Sequence, residues 1–344
     1  MLARFALRRI LDSLPVLLGV SIITFFLVQA TIGSYVPGLE LNRDLKPEDI
    51  IRLRHAIGLD EPWWVQYLNW LGVAWIMKAV GLGSLLGGAP VTTGLLEGDL
   101  GRSIIDGTAI TQNILARLGY TLELTLTAIC IGVLIAVPLG VMGALRRGSI
   151  VDQAFTIAAT AGIAVPAFWT GLVAILLFAV FFHEWNLPAL PTGGAESPLG
   201  GGDPLDRVIH LLLPATVLSF GYLAVWSRYV RSGMLEVLNQ DYVRTARAKG
   251  MAERRVVYVH ALRNAIVPLV TLIGLELPGL FSGSAIIEIV FSWPGLGRYA
   301  LSAVQSHDIT VVLALTVFGS ALVVIGNLLA DVLYAVLDPR IRYA

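Results

Sequence analysis

Four carboxylates stand within or at the ends of long apolar runs: Glu123, Glu276, Glu288 and Asp331. An ionisable group at the centre of a bilayer costs about 2.5–3.5 kcal/mol on the insertion scale, so one that is kept there points to a task. Such a carboxylate can meet an ammonium group, carry a proton or accept hydrogen bonds from a neighbouring helix. Glu276 lies between Pro268 and Pro278, and two readings stand side by side for it. It is either a buried residue bonded to a partner helix or a cavity-lining acceptor for a cation. Asp331, near Asn327, reads as a polar contact toward one end of its run.

A second concentration of charge is the stretch DYVRTARAKGMAERRVVYVHALR, residues 241–263. Asp241 is a suitable N-cap for a short helix, and Gly250 is placed to end it in a left-handed turn. A new helix then restarts near Glu253. Val243, Ala246, Arg247 and Gly250 share one side by helical spacing, where small residues would let another surface come close. Topology and lipid headgroups alone would account for some of the cations. A capped helix with a glycine break is more than they require.

Other chemistry is missing from the pattern. No Gly-x-x-x-x-Gly-Lys-Ser/Thr loop is present to cradle a nucleotide. His55, His183, His210, His260 and His307 are scattered without metal-ligand spacing. No cofactor, metal or catalytic residue is therefore assigned to this chain. His260, beside the basic stretch, is expected at an interface.

The elements that must carry these residues follow from composition. Of 344 residues, 56% are hydrophobic and only 14% charged, with mean hydropathy +0.77. A soluble domain carries about 25% charged residues, so a soluble fold could not cover this much apolar surface. Zero formal net charge excludes the electrostatic footprint of a nucleic-acid binder. The single cysteine, Cys130, lies in an apolar run and is expected to be a small buried hydrophobe.

Six runs are long enough to span a bilayer: about 10–30, 118–145, 154–182, 208–226, 264–290 and 311–336. In lipid these must be helices, giving an all-α integral membrane fold. The first is too long and too poorly cleavable for a signal peptide. With the N-terminus inside, the inner segments hold fifteen of the 24 Lys and Arg, eight of them between Arg228 and Arg263. Short loops decide orientation, so both termini and residues 241–263 are placed in the cytoplasm.

The expected organisation is a first span and its flank (1–30), an external segment (31–116), a membrane core (117–336) and a tail (337–344). Within the external segment, LKPEDIIRLRHAIGLDEP predicts an amphipathic helix. Residues 79–98 are glycine-rich and read as an insertion. The loop 184–207 is too rich in Pro and Gly for a regular helix.

The stretch 241–263 resembles the cytoplasmic coupling loop of type I ABC-importer permeases. Arg244-Thr245-Ala246 stands where that family has Glu-Ala-Ala, with Arg replacing Glu, and Gly250 stands at its glycine. RTARAKG followed by HALRNAIVP is similar to the peptide/nickel branch. GLDEPWWVQYLNWL (58–71), GDLGRSI (98–104), YTLELTL (120–126), VPAFWTGL (165–172), EIVFSWPGLGR (288–298) and LDPRIR (337–342) resemble the oligopeptide/dipeptide permease subfamily. The resemblance covers nearly the whole chain. Two features depart from it: only Pro37-Gly38 remains of the usual Pro-Gly-Asp-Pro, and the 79–98 insertion is extra.

The resemblance implies a six-span permease working by alternating access. Its implied partners are a homologous second permease, two ATP-binding subunits that hold ATP and magnesium, and an extracytoplasmic substrate-binding protein. Asp241, Tyr242, Arg244, Thr245, Ala246, Arg247, Lys249 and Gly250 would form the handle that an ATPase grips, Ala246 permitting close approach. Glu276, Glu288, Phe291 and Trp293 are assigned to the substrate path or outer gate. The rival is a proton-coupled secondary transporter without an ATPase, using Glu276 and Asp331.

Overall fold

The computed structural model describes residues 2–32, 61–81, 94–198, 202–276, 279 and 285–337. The predicted amphipathic helix before Pro62, most of the glycine-rich segment and the tail lie outside them. Among the described residues the fold is all-helical, apart from one isolated bridge between Arg102 and Ala109.

In chain order the helices are α1 (Leu2–Ile32), α2 (Trp63–Leu71), α3 (Ala74–Ala79), α4 (Ile110–Leu145) and α5 (Ile150–Ala164). Then come α6 (Ala167–Glu184), α7 (Pro204–Val237), α8 (Asp241–Ala248) and α9 (Glu253–Ala265). The last are α10 (Val267–Glu276), α11 (Ala285–Val290), α12 (Leu296–Gln305) and α13 (Ile309–Leu337). Four are long and apolar enough to cross a membrane by themselves: α4, α6, α7 and α13 through Asp331. A fifth span arises if α9 and α10, bent by 44° at Ile266, count as one. The apolar part of α1, Leu11–Leu27, is shorter.

Two expected spans are not single helices. The run 154–182 breaks at Val165-Pro166, where Val165 takes an extended backbone and Pro166 caps α6. The reason is local: a residue before proline is pushed out of the helical region. The run 264–290 is bent by 44° at Ile266, where α9 gives way to α10. Cys130 is exposed on α4 rather than buried, on the helix face that this chain's own packing leaves open. The loop before α7 is irregular as expected, although α7 already begins at Pro204, with Asp203 capping it through Leu205 N.

The chain divides into two compact units. One comprises residues 118–298, 325–344 and the first two residues. Its inner core joins Val141, Trp226, Val230, Met234, Val257 and Leu269. Helices approach closely where side chains vanish: a Cβ on Gly140 would meet Val230, and one on Gly233 would lie 2.6 Å from the carbonyl oxygen of Ala265. Small residues at crossings are what membrane helices use to pack without a hydrophobic drive. A second core joins Leu124, Leu211, Ile287, Phe291 and Trp293.

The other unit comprises residues 3–117 and 299–324. Phe25 packs edge-on against Tyr67, and Ser21 shares a 2.9 Å hydrogen bond with the Tyr67 hydroxyl. Ser103 donates to Asp308 Oδ2 at 2.5 Å, while Asp308 Oδ1 accepts from Thr310 and from the backbone of Val311. Asp308 thus caps α13 and fastens the 98–109 loop to it.

Candidate functional site

The basic stretch folds into an elbow. α8 runs Asp241–Ala248, with Lys249 as C-cap and Gly250 at φ +75°. Gly250 N donates to Arg247 O at 2.9 Å and Met251 N to Ala246 O at 3.3 Å. These two bonds are the Schellman pattern, which needs the left-handed residue that glycine supplies. The N-terminus lies one residue earlier than Asp241 suggested. Gln240 is the cap position, without a side-chain bond, and Asp241 adds a carboxylate to the first turn, 3.6 Å from Arg244.

Two sides of α8 do different work. Val243 and Ala246 are buried with Val256 and pack on Val237, Leu238 and Met251. The predicted close-approach face is corrected here: Ala246 is turned into its own chain. An apolar stripe at i, i+3 gains more by covering the end of α7 than by facing water. Tyr242, Arg244, Thr245, Arg247, Lys249 and Gly250 form the exposed side.

Further contacts brace the turn. Arg247 reaches over Gly250 to Glu253, with Nη2–Oε1 at 2.6 Å and Nε–Oε2 at 3.1 Å. Asn264 Nδ2 donates to the Tyr242 hydroxyl at 2.7 Å, tying α8 to the last turn of α9 beside the 44° bend. Residues 256–261 of α9 form a wide π-type turn, a distortion frequent at functional positions. His260 lies within it, half-buried, and its buried Nε2 has no hydrogen-bond partner among the described residues.

Above the elbow, α5 is bolted to α7. Arg231 donates from Nε to Asp152 Oδ1 at 2.6 Å and from Nη2 to Oδ2 at 2.8 Å. The bidentate guanidinium, with Gly148 N at 2.9 Å, holds the Asp152 carboxyl down at about 2. Ser149 caps α5 by accepting from Asp152 N.

The assigned path and gate residues separate. Glu276 lies in α10 and is half-buried. Glu288, Phe291 and Trp293 are buried within the chain. Glu288 accepts from Thr121 Oγ1 at 2.7 Å, Gly297 N at 2.7 Å and Arg298 N at 3.1 Å. Trp293 donates from Nε1 to Tyr120 O at 2.8 Å. These three side chains form the floor of the Ser292–Arg298 turn. Glu123, by contrast, pairs with Arg207, whose guanidinium also lies 4.4 Å from the Tyr120 ring centre. Asp331 sits half-buried in α13.

Sequence reasoning missed Thr121, the Asp152–Arg231 bridge, Asn264 and the Ser103–Asp308 bond. Only Ser149-x-x-Asp152 carried a local signal, as a helix-capping pair. Among the described residues, no group of three His, Cys, Asp or Glu is placed to hold a metal ion.

The chain matches two family models. Residues 136–343 match the model described as binding-protein-dependent transport system inner membrane component. Residues 1–125 match the corresponding N-terminal model. The oligopeptide transport system permease protein AppB of Bacillus subtilis (strain 168) is 40% identical over 343 residues, covering 99% of this chain and 100% of that protein. The dipeptide transport system permease protein DppB of Escherichia coli (strain K12) is 37% identical over 361 residues, covering 99% of each. The di/tripeptide transport system permease protein DppB of Pseudomonas aeruginosa (strain UCBPP-PA14) is 35% identical, covering 98% of each.

Proposed function

The chain belongs to the family of binding-protein-dependent transport system inner membrane components, and from that premise we propose that it moves peptides as one half of an ATP-driven pore. It is a multi-pass permease subunit, and such a system implies a binding protein and an ATPase. The proposed assembly is this chain, a homologous second permease, two ATP-binding subunits carrying ATP and magnesium, and an external binding protein. Peptide as cargo is the reading that the names of the relatives support. Six crossings with both termini inside complete the topology: α1, α4, α5 with α6, α7, α9 with α10 and beyond, and α13. The boundaries follow as a first span (1–30), an external segment (31–116) that includes the 79–98 insertion, a core (117–336) and a tail (337–344).

The observation that carries the mechanism is the elbow. α8 is seated on its own chain through Val243 and Ala246, and its other side is exposed and carries Arg244, Arg247 and Lys249. A handle must be held firmly by its owner and offered outward to be pulled. An ATPase gripping Tyr242, Arg244, Thr245 and Lys249 would transmit its closure to α7 through the buried stripe and to α9 through Asn264. Alternating access then needs only a shift between two packed arrangements. Glu276, half-buried in the bent segment, is the acceptor for a peptide ammonium group. Glu288, Phe291 and Trp293 hold the outer turn in shape.

The test is at Gly250. A Cβ there has open space, but φ +75° strains any other side chain except one that tolerates the left-handed region. Gly250→Asn keeps the turn and should keep uptake. Gly250→Arg adds bulk and charge at the docking side and should abolish ATP-coupled uptake in vesicles, with membrane insertion unchanged. Full uptake by the arginine variant sinks the docking reading.

A further inference from the structure

A groove of about 380 Å³ opens between α4, α5, the start of α6 and α7. Its walls are carbon: Leu139, Phe155, Val165, Trp169, Phe220 and Leu223. Five polar side chains also line it, and three of them are already spent. Thr156 donates to Asp152 O at 2.8 Å and Thr170 to Pro166 O at 3.3 Å. Arg231 has its fork closed on Asp152. Ser227 and Arg228 remain, with no hydrogen bond or ion pair among the described residues, and Arg228 is exposed.

The two polar groups without a bond among the described residues, Ser227 and Arg228, are neighbours at one end of the groove, and Thr170, deeper in it, is already bonded to Pro166 O. α5 enters from the inner side and α7 leaves toward it, so Thr156, Arg228 and Arg231 lie at the inner mouth. Val165, Trp169 and Phe220 lie deeper in the membrane. The site is therefore an apolar trough with a single uncompensated guanidinium at the cytoplasmic end. Arginine cannot shed its charge, and its planar donors match phosphate oxygens. Apolar walls favour a hydrocarbon chain by burial. Basic pockets between spans at the cytoplasmic side suit anionic lipid headgroups.

We propose that this groove binds one anionic phospholipid of the inner leaflet, its phosphodiester on Arg228 and one acyl chain along Leu139, Phe155 and Phe220. The lipid would fill the space that α4, α5 and α7 leave between them and brace the helices that carry the elbow. The proposal rests on the inward orientation proposed above. That orientation is checked separately by labelling a cysteine at Arg147 with an impermeant reagent from either side.

The experiment uses the full chain, purified with the subunits that accompany it, in nanodiscs of mixed phosphatidylglycerol and phosphatidylcholine. Native mass spectrometry reads the lipid retained. Wild type should prefer phosphatidylglycerol, and Arg228→Gln should lower that preference about fivefold, the value of one cation near the surface. Ala161→Trp, which fills the trough, should lower retention of both lipids. A photoreactive residue at Leu223 in otherwise wild-type protein covers the case of variants that fail to assemble. Its adduct should be a phospholipid. Unchanged lipid preference in Arg228→Gln, or a photoadduct to another polypeptide such as a second permease, overturns the proposal.

Discussion

Glu276 and Glu288 show how two carboxylates of one chain come to opposite uses. Glu288 is enclosed and surrounded by donors from Thr121, Gly297 and Arg298. Such a group is an organiser: it fixes a turn because every donor points at it. A Cβ on Gly295 would run into that carboxylate. Gly295→Ala should therefore destabilise the turn by about 1–3 kcal/mol, as overpacking does. The readout is less folded protein in detergent at equal synthesis, with insertion preserved. Glu276 is only half-buried on α10. If it meets a peptide ammonium, Glu276→Gln loses a charge-assisted bond worth about 1.5–3 kcal/mol, roughly tenfold or more in apparent affinity. Competition of free and N-acetylated peptides for uptake checks this. Only the free amine should lose, and equal loss for both would return Glu276 to a packing role.

At the scale of elements, the elbow was legible in the sequence because its signals are local. A glycine at the end, an acid in the first turn and an apolar pair three apart fixed its length to within a residue. The broken spans were not legible in the same way. Proline alone does not predict a break, since Pro138 and Pro214 sit inside the continuous helices α4 and α7. Pro166 does break its run, because Val165 before it takes an extended rather than a helical backbone. Arg231–Asp152 was invisible for a related reason: its partners lie 79 residues apart and no spacing rule joins them.

This bridge makes its own prediction about α5. The folded carboxyl titrates at about 2, below the ordinary 3.8, so the bridge favours the folded state above pH 3.8 and this contribution fades as pH falls through 2. Asp152→Asn should lower the unfolding temperature by a constant amount between pH 5 and 8. The gap from wild type should close progressively below about 3.8. A gap that persists unchanged at pH 2 would mean that shape, rather than charge, holds α5 to α7.

On the scale of the whole molecule, the chain is built as a component. Large apolar side chains such as Phe168, Trp169, Leu172 and Leu176 stand about half exposed on α6, and α8 presents exposed cations. The span at α6 has only 6% of its most apolar window buried inside this chain, against 44% for α4 and α7. Lipid can satisfy such a face, but so can a second permease, and the two differ in what survives extraction. Gentle solubilisation from the native membrane, with mass spectrometry of the accompanying chains, should recover a second multi-pass permease and one or two ATP-binding subunits. Substitution of the exposed side of α8, as in Lys249→Glu with Arg244→Glu, should shed the ATP-binding subunits and leave the second permease attached. The reason is that the two contacts use different surfaces, and charge reversal at a polar contact acts strongly on that contact alone. A wild-type chain that emerges alone or only with copies of itself across several mild detergents would instead favour a transporter driven through Glu276 and Asp331. Loss of both partners in the α8 variant would mean that the elbow holds the pore together as well as pulling on it.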